Sequence, residues 1–162
     1  MHPILLLQLL ILIGVANGVP VLAKKLLGDR FAQPLDGGTT FLDGRPLFGP
    51  SKTLRGVLLS LLATPLAAGL LGLHWQVGLV VACGTVAGDL LSSFVKRRMG
   101  LAPSSMALGL DQIPESLIPL LLGMWLVPLS LLDVFVGVAI FCVAAPVLSR
   151  LFFHIRLRDQ PY

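Results

Sequence analysis

Apolar residues run almost without interruption through three stretches of this chain, 1–23, 57–95 and 113–149, separated by polar segments. A helix that crosses a bilayer needs about 20 mostly apolar residues. The first stretch is long enough for one such helix, with His2, Gln8 and Asn17 as its main polar members. The second and third are each long enough for two helices and a tight turn. Their breaks fall at Leu73-His74-Trp75-Gln76 and near Val127-Pro128, and tryptophan suits the headgroup level. The pattern predicts an all-α integral membrane protein with five transmembrane helices, at about 3–23, 56–73, 76–96, 114–129 and 132–152. A cleaved signal peptide is the alternative for the first segment. It lacks a basic n-region, and Lys24-Lys25 follows the apolar run instead of preceding it, so the segment is read as a retained helix.

Composition narrows the class. Of 162 residues, 56% are hydrophobic and 12% charged, against roughly 25% charged in soluble domains. A disordered chain, a nucleic-acid-binding domain and an ordinary soluble enzyme are excluded. One membrane-embedded domain fills 1–162, with polar loops at about 24–55 and 96–112. The net charge of +4 gains meaning from its placement. Lys24, Lys25, Arg30, Arg45, Lys52 and Arg55 fall in the first loop, Lys96, Arg97 and Arg98 in the second, and Arg150, Arg156 and Arg158 near the C-terminal end. With five spans, all twelve lie on one side. The positive-inside rule makes that side cytoplasmic and puts the N-terminus outside and the C-terminus in the cytoplasm. Four or six spans would split the set. The expectation is a multi-pass cell-membrane protein whose working face is cytoplasmic. Cys83 and Cys142 lie in apolar runs and read as packing residues, without disulfide or metal-ligand spacing.

The loop 24–55 exceeds the length of a simple connector. Leu35-Asp36-Gly37-Gly38 and Leu42-Asp43-Gly44-Arg45 suit tight turns. Lys52 and Arg55 follow near the membrane surface. They serve either as positive-inside anchors or as a grip on phosphates, a lysine as a point charge and an arginine as a fork. The third helix carries Asp89 inside its apolar run, and an intramembrane carboxylate is a functional candidate by default. Ser92, Ser93 and Lys96 share its face, with Arg97 adjacent; a salt bridge to a nearby base is the alternative. Gly84 and Gly88 form a small-xxx-small pair that suits close helix packing, and Gly14 and Gly18 form another. Asp111, just before the fourth helix, either caps it or converges with Asp89 on one cation. Magnesium favours one or two carboxylates plus substrate phosphate oxygens. Glu115 either joins this site or complements the helix end. Asp133 is expected at the opposite face, in a wet turn. Acids for a metal and bases for phosphate, gathered at one face, suggest handling of a phosphorylated substrate at a membrane.

These residues resemble a known superfamily. Ser51-Lys52-Thr53-Leu54-Arg55-Gly56 is similar to the S-x-G-K-T-W-x-G region of phosphatidate cytidylyltransferases, without the glycine before the lysine and with leucine for tryptophan. The run from Gly88-Asp89 through Ser92 to Lys96-Arg97 resembles their G-D-L-x-x-S-x-x-K-R signature, and Leu110-Asp111-Gln112-Ile113 the L-D-R-I that closes it. Short length, five spans, Leu35-Asp36-Gly37-Gly38 and Leu-Asp-Gln match the CDP-archaeol synthase branch more closely. The Lys-Asp pair and His-Gly-Gly segment of the larger enzymes are absent, replaced by Leu101-Ala102-Pro103-Ser104-Ser105.

The resemblance implies CTP-dependent transfer of CMP to a lipid phosphate, giving CDP-lipid and pyrophosphate. In the archaeal branch the acceptor is an unsaturated archaetidic acid with geranylgeranyl ether chains. It implies Asp89, Asp111 and Lys96 as catalytic, with Mg²⁺ on Asp89 and Asp111. Lys52, Thr53, Arg55, Ser92, Ser93 and Arg97 would bind substrate, and Asn17 would line the lipid cleft or mark a helix break before Pro20. The expected partners are CTP, a membrane lipid phosphate and possible second copies of the chain as a homodimer, without nucleic acid. Two rivals stand beside this expectation. A CDP-alcohol phosphotransferase needs D-G-x-x-A-R, which neither Asp-Gly pair completes. A small membrane transporter or scaffold would hold Asp89 in a polar pathway.

Overall fold

A computed structural model describes residues 1–102, 105, 107 and 109–154. Of the basic residues assigned to one face, Arg156 and Arg158 lie outside the described residues, as do Pro103 and Ser104 of the segment that replaces the larger enzymes' motif. Five helices follow in order: α1 Pro3–Leu27, α2 Leu54–Leu70, α3 Trp75–Arg98, α4 Gln112–Gly123 and α5 Leu131–His154. The all-α membrane architecture is as expected. Helix α1 continues through Pro20 to Leu27 without a break, which corrects the expected stop at 23. Lys24 and Lys25 occupy its last turn, where cations complement the helix dipole.

The helices run up and down in sequence. Gln8 Nε2 on α1 donates to the Leu71 carbonyl at the end of α2, 2.8 Å away. Pro20, near the other end of α1, lies 3.2 Å from where a Cβ on Gly56 would stand, at the start of α2. The backbone N–H of His2 reaches Asp133 at the start of α5 at 3.1 Å. One end of the bundle therefore gathers the starts of α1, α3 and α5, and the other gathers the starts of α2 and α4.

Helices α1, α3 and α5 are long and apolar enough to cross a membrane, and α2 is a shorter apolar helix. Helix α4 is the main departure. It spans 12 residues, about 18 Å at 1.5 Å per residue, against a hydrocarbon core of about 30 Å. The expected helix over 114–129 is thus cut at Gly123. Residues 124–130 continue as turns and irregular backbone, because Pro128 disfavours helix at the residue before it.

The shared core is Leu6, Leu9, Leu12 and Ile13 of α1, Ala68 of α2, Val77 and Val81 of α3, Leu120 of α4, and Val134 and Phe141 of α5. Lipid tails are as apolar as leucine, so close packing, not water exclusion, holds such helices together. The glycines carry that contact. A Cβ on Gly84 would lie 2.6 Å from Pro119 Cα, and one on Gly88 2.3 Å from the Pro114 carbonyl oxygen. Gly14 and Gly18 have nothing within 4 Å of that position. Cys83 is exposed, not a packing residue as expected; it faces an apolar groove with Leu79, Val80, Leu122 and Trp125.

Asp133 also differs from expectation. It is fully buried, not in a wet turn. Ser130 donates to Asp133 Oδ2 from its backbone N–H at 3.0 Å and from Oγ at 2.7 Å, and Asp133 N–H returns a bond to Ser130 Oγ at 3.2 Å. This reciprocal capping box starts α5.

Candidate active site

The segment between α1 and α2 is a strap folded back on itself. Pro34 pairs with Thr53 at its base and Thr40 with Pro46 at its tip. Its two Asp-Gly turns form as the sequence suggests. Asp36 is the organiser: Oδ1 accepts from Gly38 N–H at 3.0 Å, and Oδ2 from Phe48 and Gly49 N–H, each at 2.9 Å. Burial alone would push this carboxyl up, but those backbone donors outweigh it and hold its pKa below 3.8. Gly37, Gly38, Gly44 and Gly49 all take positive φ, which the turns require and glycine permits without penalty.

The strap delivers Lys52 to α3. Thr53 caps α2, its Oγ1 accepting from Gly56 N–H at 3.2 Å. Lys52, one residue earlier, forms an ion pair with Asp89 Oδ1. On α3, Lys96 lies two turns beyond Asp89. Its Nζ stands 2.7 Å from Asp111 Oδ1 and donates to the Ser105 carbonyl at 3.0 Å. Asp111 Oδ2 accepts from Ala107 N–H at 3.1 Å. It makes no side-chain cap bond to α4, so of the two readings of Asp111 the cap is the one the geometry omits.

Gly88 brings the two acidic centres together. Without a side chain it lets α3 touch the α4 backbone at Pro114 and Glu115. Glu115 then lies against Asp89, within hydrogen-bonding reach, and feels Lys52 and Asp111 electrostatically. From α1, Asn17 Nδ2 donates to Glu115 Oε2 at 3.0 Å. The site thus draws on α1, the strap, α3 and α4. Sequence reasoning left Glu115 outside the assigned residues. Its place inside an apolar run, four residues after Asp111, was the available signal.

Other candidates have structural employment. Arg55 is buried and donates from Nη1 to the carbonyls of Gly28 and Arg30, tying the strap's first leg to α2. Arg97 is buried and donates from Nη2 to the Ala102 carbonyl at 2.8 Å, turning the chain after α3. Ser92 Oγ donates to the Asp89 backbone carbonyl at 3.0 Å, and Ser93 is buried beside it. The cations closest to the acids are therefore the two lysines.

Among the described residues no group of three or more His, Cys, Asp or Glu is arranged to hold a metal. Mg²⁺ does not demand a closed protein cage of that kind. It takes one or two carboxylates and fills its remaining positions with water and phosphate oxygens. Asp89 and Asp111 are hard oxygen donors of that kind. By donor chemistry, Asp89 and Asp111 are the residues that could take magnesium shared with a phosphate substrate.

Comparison with known proteins points the same way. A profile of the CarS-like CDP-archaeol synthase family matches residues 68–162. The CDP-archaeol synthase of Pyrococcus furiosus is 41% identical over 123 residues, which cover 69% of this chain and 70% of that one. The one from Pyrobaculum islandicum is 31% identical over 153 residues, covering 91% and 92%. The match to the Hyperthermus butylicus protein is 38% identical and spans 59% of that protein's length. A solved structure described as an intramembrane enzyme for archaeal membrane lipid biosynthesis superposes with a TM-score of 0.75 at 28% identity, covering 87% of this chain and 90% of the other. On fold, sequence and the motifs around Asp89 and Asp111, the chain belongs to the CDP-archaeol synthase family.

Proposed function

We propose that this membrane protein transfers CMP from CTP to an archaetidate-like ether-lipid phosphate at the cytoplasmic face, using the acids and lysines gathered at the starts of α2 and α4. The activity class follows from family membership: a CTP-dependent cytidylyltransferase acting on a lipid phosphate. The observation that supports the site assignment is that α3 carries two lysine–carboxylate pairs two turns apart, Lys52–Asp89 and Lys96–Asp111.

In the reaction, a lipid phosphate oxygen attacks the α-phosphorus of CTP. The new P–O bond forms as the bond to the β-phosphate bridge breaks, and pyrophosphate leaves. The acceptor is already an anion, so no general base is needed; positioning and charge neutralisation carry the rate. Asp89 and Asp111 would hold Mg²⁺, which when bound offsets the charge of the triphosphate. Lys52 and Lys96 exchange their carboxylate partners for phosphate oxygens. Glu115, held by Asn17, orients the Asp89 carboxylate. Thr53 presents Lys52 by capping α2, and Arg55 and Arg97 brace the loops on either side of the substrates. Ser92 and Ser93 line the α3 face beneath them.

The cytoplasmic assignment is supported by the basic residues of the strap and the end of α3, which share the site's end of the bundle. The unpacked Gly14/Gly18 face of α1 is where a second copy would pack in a homodimer. A transporter or scaffold has no comparable need for paired lysines and acids. The test is an acceptor screen in detergent with labelled CTP, with and without Mg²⁺. Label is expected in the archaetidate-like acceptor in preference to diacyl phosphatidate. Label in neither acceptor, from folded protein, refutes the proposal.

A further inference from the structure

The strap touches α3 at a second place, away from Lys52. Arg98, in the last turn of α3, stands with its guanidinium carbon 4.9 Å from the ring centre of Phe41 on the strap and 4.8 Å from that of Phe94 on its own helix. The two rings meet edge to face at 5.3 Å. Arg98 Nε lies 3.1 Å from Asp43 Oδ2. Its Nη2 donates to the carbonyls of Arg45 at 3.2 Å and Pro46 at 2.6 Å. Arg45 answers from the strap, donating from Nη1 to the carbonyls of Arg97 at 3.2 Å and Arg98 at 2.6 Å. Gly100 makes room for it: its φ is +74°, and a Cβ there would sit 3.3 Å from Arg45 Nη1. Two arginines thus donate to each other's backbone segments across the joint, one of them lying against two aromatic rings.

These contacts join the end of α3 to the tip of the strap, and none of them is to Asp89 or Asp111. Their mechanical consequence is specific. The strap is anchored to α2 at its base, through Leu35 N–H to the Lys52 carbonyl at 2.7 Å and Leu54 N–H to the Gln33 carbonyl at 3.0 Å. Base anchoring alone leaves the folded tip free to swing about the start of α2. Docking the tip on Arg98 closes a second hinge and fixes the strap against the helix that carries Asp89. We infer that Arg98 is a positioning residue that acts through Lys52: by latching the strap's tip to α3 it sets the Lys52 ammonium where the triphosphate of CTP binds. The guanidinium is held through Nε and Nη2, while Nη1 is buried without a hydrogen-bond partner among the described residues. This inference rests on the proposed CTP chemistry at Lys52 and Asp89.

The test is a double-mutant cycle on Arg98→Ala and Lys52→Ala, reading kcat and KM for CTP and for the lipid phosphate separately. Arg98→Ala is expected to raise KM for CTP about tenfold, the size of a typical coupling between linked residues, and to leave KM for the lipid unchanged. In the Lys52→Ala background the same substitution adds nothing. The CTP concentration that half-stabilises each variant against heat gives the same coupling without turnover. Arg98→Lys, which keeps the charge facing Asp43 but loses the fork and the stacking, recovers only part of the loss. Should Arg98→Ala fold poorly, Phe41→Leu and Asp43→Asn loosen the joint from the strap side and reproduce the rise in KM for CTP. Equal effects of Arg98→Ala in both backgrounds, an unchanged KM for CTP, or a parallel loss for both substrates overturns the inference. Wild-type protein that transfers no label contradicts the proposed function; labelling wild-type protein with additive effects contradicts only the positioning role.

Discussion

Adding a single methyl group at Gly88 tests how the site is assembled. A Cβ built there would lie 2.3 Å from the Pro114 carbonyl oxygen, 2.5 Å from Pro114 C and 2.7 Å from Glu115 N, whereas ordinary contact begins near 3.4 Å. All three are backbone atoms, so no side-chain rotation relieves the clash. Helices α3 and α4 must part by about 1 Å, and overpacking of this kind costs about 1–3 kcal/mol. The same movement draws Asp89 away from Glu115 and Asp111, and a misplacement of about 1 Å near the chemistry can lower the rate about a hundredfold. Gly88→Ala is therefore expected to lose both heat stability in detergent and most of its CTP-dependent lipid labelling. Two comparisons separate these effects. Gly78→Ala clashes with α2 at the bundle's other end, 2.6 Å from Pro65 Cα, and is expected to lose stability while each folded molecule keeps its rate. Gly14→Ala and Gly18→Ala meet nothing of their own chain within 4 Å, so monomeric protein should lose no stability and gain up to about 1 kcal/mol from helix propensity. A Gly88→Ala protein that labels lipid at the wild-type rate refutes the reasoning.

Three further outcomes follow. Lys52→Ala and Lys96→Ala are each expected to cost about a hundredfold or more in kcat/KM, measured by label transfer, because each also strands a carboxylate in a low-dielectric site. The Asp36 carboxyl is held below 3.8 in the folded strap, so its contribution to stability is present above that ordinary value and is lost as pH falls through the lowered one. Asp36→Asn is expected to flatten that acid limb in thermal unfolding curves taken from neutral to acid pH. Ser130→Ala removes the capping box of α5 and should cost about 1–2 kcal/mol of stability, with labelling per folded molecule unchanged because the cap lies at the end of the bundle opposite the site.

The long helices were legible because an apolar run of bilayer length has few other readings. Helix α4 was not, since Leu-rich sequence continues past Gly123 and composition does not show where hydrogen bonding stops. Asp89 and Asp111 stood out as acids in or beside apolar runs, and Lys52 and Lys96 as nearby bases, but helical spacing set Lys96 beside Asp89, whereas it pairs with Asp111 and Lys52 takes Asp89. Glu115 could not be assigned, because its meeting with Asp89 depends on the close approach at Gly88 and on Asn17 reaching across from α1. The arginines illustrate the opposite difficulty. Arg55 and Arg97 sit within motif-like segments, yet their forks suit backbone carbonyls as well as phosphates, and the fold gives each a backbone partner that spacing does not show. Arg98, the third base of a run that looked like positive-inside charge, takes its meaning from a strap some fifty residues earlier, its Nη2 bonded to Pro46.

The most direct measurement follows the two ends of the triphosphate separately. Purified protein is incubated with an archaetidate-like acceptor and CTP labelled at either the α- or the γ-phosphate. The account predicts that α-label enters the lipid as a CDP-lipid while γ-label is released as pyrophosphate, in equal amounts, and that Asp89→Asn abolishes both. Label from the γ-phosphate in the lipid, or full transfer by the Asp89→Asn protein, would contradict it.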